Sequence, residues 1–181
     1  MIGGIVMSFQ RLIGHLNNHQ AKFSLEAHSK AFTALEVAER THVHGLNMGK
    51  VVVLVCDGCL ALCLLPAHYH VNCASFAEEI GVSEVRLAQE SEFSDHFPQC
   101  ELGAIPPFSE LWGMPVYMSF AFDISQDIVF NAGNWSEVAR MPCNEYIRLE
   151  EPKIISKGAM SPRITPPKIS RRRGRESLLV H

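Results

Sequence analysis

Along residues 49–66, GKVVVLVCDGCLALCLLP, apolar positions run almost unbroken except at one dipeptide. Residues 51–55 and 60–65 fit two buried strands, and Asp57-Gly58 between them suits the positive φ angles of a type I′ hairpin turn. Before this hairpin the apolar period is helical. Phe9, Leu12, Ile13 and Leu16 follow Ser8, a suitable N-cap, Asn17 to Gln20 interrupt the pattern, and an Ala- and Leu-rich stretch predicts a second helix over residues 29–40. After it, Asn72 or Ser75 can start a helix that Gly81 ends, residues 85–88 form a short strand, and residues 90–96 form an acidic turn or helix. Strands are expected at 116–122, 128–131 and 137–141, with a last helical turn at 144–149. Beyond Pro152 the apolar periodicity stops.

Strands in hairpins with interspersed helices predict an α+β domain built on a curved, mixed, mainly antiparallel sheet or a partly closed barrel with flanking helices. Three segments are expected: an N-terminal extension and helix over residues 1–22, one domain over 23–152, and a basic Pro/Arg-rich tail over 153–181 without regular structure. Within the first segment, Met7 serves as well as Met1 as the natural start.

Charge sharpens this division. The net charge of −3 over 181 residues combines 8 Lys and Arg against 18 Asp and Glu in residues 1–152 with 8 basic residues against Glu176 alone in residues 153–181. An acidic body therefore carries a basic tail, a composition suited to gripping nucleic acid. The six cysteines sit mostly among apolar residues, and the first residues lack the charged and apolar regions of a secretory signal, which points to reduced thiols and a cytoplasmic protein. The hairpin is too short and too interrupted to span a membrane.

Two places carry candidate chemistry. Lys50 opens the apolar hairpin, and an ammonium there either reaches solvent or meets an anion, because an unpaired charge is costly to bury. The stretch Gly103-Ala104-Ile105-Pro106-Pro107 has fixed φ angles at its prolines and one accessible glycine amide, so it can present an N–H to a carbonyl oxygen or serve as a rigid connection. Together a lysine and an exposed amide can hold a phosphate and polarise an ester. Cys56 and Cys59 have the spacing of a zinc half-site or redox pair but flank a turn with no second such pair. His42, His44, His68 and His70 resemble a metal array on paper, although i, i+2 spacing next to strands favours ordinary surface or core histidines. Glu90, Glu92 and Asp95 read as a solvated face rather than paired acids. There is no GxSxG elbow, P-loop or dinucleotide fingerprint.

The ordered set of these motifs resembles the YbaK/EbsC family, the domain shared by aminoacyl-tRNA deacylases and by the editing insertion of bacterial prolyl-tRNA synthetases. The matching residues are His28, Thr33, Glu36 and Ala38, the run Met48-Gly49-Lys50 into the hairpin, Leu65-Pro66-Ala67, the stretch 97–108, Pro115 to Tyr117, and 128–133 ending at Gly133. The resemblance implies a hydrolase that cleaves the ester of mischarged aminoacyl-tRNA. Lys50 would contact the terminal adenosine, its phosphate or the aminoacyl group, and the Gly103 amide the ester carbonyl. His28, Thr33, Pro106, Pro107, Ser119 and Gly133 would line the substrate pocket. It implies no metal and no cofactor, activation coming largely from the substrate itself, through a water positioned by a ribose hydroxyl or through a side-chain thiol, and as partners the acceptor end of aminoacyl-tRNA and an aminoacyl-tRNA synthetase.

Gly49 stands where many relatives carry Ala and Ser109 where they often carry Gly. Ser119 stands where they commonly carry Asp and Trp135 where they often carry His, so one pocket wall is expected to be remade. A changed aminoacyl specificity follows, or a pocket that binds a nucleotide or tRNA end without hydrolysing it, with the Arg-rich tail supplying the grip.

Overall fold

A computed structural model describes residues 3–30, 33–41 and 46–161. The first helix, α1 (Gly3–Asn18), starts five residues before Ser8, the expected cap, and buries Leu12, His15 and Leu16. Strand β1 (Ser24–Ala27) follows, in a segment to which the sequence pattern assigned no element. Helix α2 (Ala34–Arg40) is shorter than predicted because Thr33 caps it: its side chain accepts from Glu36 N at 3.2 Å, and Glu36 returns a bond to the Thr33 amide.

The hairpin forms as predicted from β2 (Met48–Cys56) and β3 (Cys59–Pro66), in register from Gly49↔Pro66 to Cys56↔Cys59. Asp57 and Gly58 take φ of 45° and 83°, and the Asp57 carboxylate ties the tip to the amides of Ser83 and Glu84. Alternation sends Leu54, Ala61, Cys63 and Leu65 against one side of the sheet with Phe76, and Val53 and Leu62 to the other with Phe97 and Ile105.

Then come β4 (His70–Val71), α3 (Cys73–Ile80) capped by Asn72 and closed by left-handed Gly81, β5 (Val85–Leu87), and α4 (Glu90–Phe93) with a 3-10 turn to His96. Residues 97–108 are irregular, as their Gly and Pro content requires. They end in α5 (Ser109–Trp112), a single turn the pattern did not announce. Strands β6 (Val116–Ser119), β7 (Asp127–Asn131) and β8 (Glu137–Pro142) lead into α6 (Cys143–Glu150).

The tail expected to lack structure from residue 153 is ordered at its start: β9 (Lys153–Ile155) pairs in parallel with β6, and β10 (Ala159–Met160) pairs with β4. Two- and three-residue strands carry too little periodicity to be read from sequence. The Arg171 to Arg175 cluster, like His42 and His44, lies outside the described residues.

The main sheet has eight strands in the order β1-β8-β7-β2-β3-β6-β9, with β5 joining β2, and it does not close into a barrel. Its centre is split. One edge of β2 pairs with β7 only at Met48 and Gly49 and with β5 only from Leu54 to Cys56. The intervening edge, which begins at Lys50, has no strand partner among the described residues, and a cavity opens there. No helix among the described residues is long and apolar enough to cross a membrane.

Candidate active site

A cavity of about 450 Å³ is lined by Lys50 and Val51 of β2, Asn131 at the end of β7, Gly103 of the irregular loop, and Trp135. Lys50 and Gly103, distant in sequence, therefore share one hollow, as expected. Lys50 is half-buried and makes no hydrogen bond or ion pair with a described residue, and among the described residues no Asp or Glu lines the cavity. Desolvation lowers its pKa from 10.5. The conditions for anion binding are met: a cation partly stripped of water with no carboxylate to neutralise it.

Gly103 is the third residue of a turn closed by Ala104 N donating to Glu101 O at 2.9 Å, with φ of +85°. In such a turn the glycine amide is not used by the turn itself, and the Gly103 N–H has no partner among the described residues. Gly133, also left-handed at φ 100°, clasps the turn from both sides: its carbonyl accepts from Glu101 N at 2.9 Å and its amide donates to Ala104 O at 3.0 Å. Trp135 closes over the glycine, its ring 2.7 Å from where a Gly103 Cβ would lie, and the Trp135 amide donates to the Glu101 carboxylate at 2.5 Å. This tryptophan forms part of the cavity wall.

The other expected residues divide. Thr33 lines the cavity while capping α2. Pro106 and Pro107 are buried behind the loop, where their carbonyls accept from Trp112 Nε1 at 2.9 Å and from Tyr146 O–H at 2.7 Å, so they brace Gly103 rather than line the cavity. Gly133 likewise positions the loop. The His28 amide donates to Ser136 O at 2.8 Å, joining the end of β1 to the turn that carries Trp135, but His28 is not a lining residue. Ser119 is 1 % exposed in the core, its hydroxyl accepting from Ala121 N at 3.2 Å, and it does not reach the cavity.

Sequence reasoning missed Asn131. It is 5 % exposed, and its Oδ1 is buried with no hydrogen-bond partner among the described residues. A buried, unpaired acceptor facing a hollow is costly unless a ligand or water meets it. Its signal was slight: one amide side chain ending an otherwise apolar strand. His68 and His70 also line the cavity but belong to no three-ligand cluster among the described residues. Cys56 and Cys59 are free thiols, and burial raises the pKa of Cys56, opposite to the shift a reactive redox pair needs.

A larger hollow, about 690 Å³, lies at the far end of the hairpin beside Cys59 and Trp112. Its charged residues, Arg86 and Glu92, already satisfy each other through bonds of 2.7 and 2.6 Å. The smaller cavity, with its unneutralised lysine, free amide and unpaired acceptor, is the better site.

Fold and site together define an α+β domain whose split sheet presents a lysine to a braced glycine loop, a pocket class suited to an anionic ester. Residues 28–149 match the aminoacyl-tRNA editing domain family, and the chain belongs to that family. It is 27% identical over 162 residues to the multifunctional Ser/Thr-tRNA deacylase ProXp-y of Escherichia coli strain K12, covering 83% of this chain and 92% of that protein. Among solved structures, one described as a candidate trans-editing enzyme for prolyl tRNA synthetase superposes with a TM-score of 0.71 at 18% identity, over 82% of this chain and 95% of that one. A hypothetical protein superposes at 0.73 with 14% identity, over 83% and 99%. These structural likenesses establish the shared fold.

Proposed function

We propose that this protein is a trans-editing hydrolase that deacylates mischarged aminoacyl-tRNA, with the ester held between Lys50 and Gly103. The observation that carries the reading is the half-buried Lys50 ammonium without a carboxylate, in the same cavity as the free amide of Gly103. The acceptor end of tRNA supplies the missing anion through its terminal phosphate, with the terminal adenosine beside it against Lys50. The Gly103 N–H donates to the ester carbonyl and stabilises the oxyanion that forms when water attacks, the role in which a preorganised backbone donor is most effective. The attack breaks the acyl–oxygen bond and returns a proton to the ribose hydroxyl. With no acid among the described residues lining the cavity, the neighbouring ribose hydroxyl of the substrate orients the water.

Asn131 Oδ1 supplies an acceptor for a donor on the aminoacyl group, and Trp135 limits its size. A small residue bearing a hydroxyl satisfies both, in keeping with a relative named for seryl and threonyl esters. Interaction with a synthetase would supply the mischarged tRNA at its source.

The test is deacylation of a panel of charged tRNAs including seryl, threonyl, alanyl and prolyl esters. Cleavage of at least one ester is expected, with a fall of at least about a hundredfold in rate for Lys50→Met. Inactivity across the panel, or full activity of that variant, would overturn the assignment.

A further inference from the structure

Where α1 and the turn after it approach α5, His15 and His19, four positions apart, face Glu110 in the first turn of α5. We propose that these three residues bind a divalent transition-metal ion of the zinc class, as a structural site independent of the ester-hydrolysing cavity.

The distances fit an ion. His15 Nδ1 and His19 Nε2 each lie 3.4 Å from the same oxygen, Glu110 Oε2, and all three donor atoms fall within 4.8 Å of one another. Charge-assisted N–H···O bonds are shorter, about 2.7–2.9 Å. A tetrahedral ion about 2.1 Å from each donor separates its ligands by about 3.4 Å. The spacing therefore suits a shared ion better than direct hydrogen bonds.

The histidine tautomer points the same way. His19 Nδ1 lies 3.0 Å from the carbonyl of His15, an acceptor, so Nδ1 carries the proton. In the neutral ring Nε2 is then a lone pair, and it faces a carboxylate oxygen. Two acceptors do not attract; a cation between them turns that contact favourable. A backbone carbonyl behind the ring is also the usual outer partner of a metal-bound histidine. The His15 ring is held by Phe108, with centroids 5.0 Å apart, and lies 4.6 Å from the His19 ring.

The surroundings agree. Arg11, the nearby cation, is turned away: it donates to Leu111 O at 2.8 Å and stacks over Trp112. A hollow of about 260 Å³ beside the three side chains leaves space for a water as fourth ligand. Two imidazoles and one carboxylate are a borderline donor set, suited to Zn²⁺, Co²⁺ or Ni²⁺ rather than Ca²⁺ or Mg²⁺. A bound ion would pin α1, which precedes the family-matched residues 28–149, to the turn that follows Pro107.

The test titrates the full-length, chelator-treated protein with Co²⁺ and Zn²⁺. One equivalent of Co²⁺ is expected to give a tetrahedral visible spectrum without a thiolate charge-transfer band, and Zn²⁺ is expected to raise the unfolding temperature. His19→Ala and Glu110→Gln, both at exposed positions, should each weaken binding at least about tenfold, whereas Cys56→Ser with Cys59→Ser should leave it unchanged. No binding, binding indifferent to His19→Ala and Glu110→Gln, or binding abolished by the cysteine replacements would each overturn the proposal.

Discussion

Lys50 brings a charge into a half-buried position that no acidic neighbour among the described residues compensates, so its presence costs stability. The sign follows from the lowered pKa. The folded chain holds the proton less firmly than the unfolded chain, so the penalty is present at neutral pH and fades as pH climbs toward 10.5. Lys50→Met should therefore raise the thermal midpoint near pH 7 while abolishing deacylation, and the gain should shrink at alkaline pH. A midpoint lowered at pH 7 would show that the ammonium is well solvated. Gly103 is constrained in the other direction. Alanine there meets both the left-handed φ of +85° and the Trp135 ring at 2.7 Å, so Gly103→Ala should cost about 1–3 kcal/mol in chemical denaturation. Adding Trp135→Ala should recover only the steric part. Lys50 and Gly103 were legible from sequence because each breaks the pattern around it. Asn131 was not, since only the burial produced by neighbouring strands turns a strand-end amide into an unpaired acceptor.

At the scale of elements, the hairpin and α3 follow from local rules, a type I′ dipeptide and an Asn cap with a closing Gly. What α3 packs on could not be read. Glu79 accepts from the amides of Ser156, Lys157 and Gly158 and from the Ser156 hydroxyl, at 2.7–3.0 Å, anchoring the turn between β9 and β10. Desolvation opposes ionisation, yet these hydrogen bonds prevail and bring the Glu79 pKa from 4.5 to about 2. A depressed carboxylate pKa stabilises the fold above the unfolded value and loses that contribution as pH falls through the folded one. Glu79→Gln should cost about 1 kcal/mol at pH 7, a figure discounted for solvent exposure. Urea titrations should show wild type and variant converging between pH 4.5 and about 2. A constant difference across that range would disprove the linkage. The same anchor explains why residues 153–161 are ordered although their own pattern is silent.

For the whole molecule, the decisive feature is the split sheet. Because β7 and β5 share one edge of β2 without meeting, the strand bearing Lys50 stays open to the loop bearing Gly103. Charge acts at the same scale. An acidic body repels a phosphate backbone, and the basic residues beyond position 161 offset it. Truncation after residue 161 should weaken tRNA binding, flattening the plot of log affinity against log salt by about 0.9 for each phosphate that the tail no longer neutralises. An unchanged slope would exclude the tail from binding.

The sequence alone determined the hairpin, the capped helix after it, the irregular Gly/Pro loop and the family resemblance, because each rests on residue chemistry within a few positions. Tertiary structure decided which of the marked residues meet. It brought Lys50, Gly103, Asn131 and Trp135 to one cavity, moved Ser119 into the core, turned Pro106 and Pro107 into braces, and set His15 and His19 against Glu110. Strand pairing and burial join residues tens of positions apart, and no local period encodes such pairings.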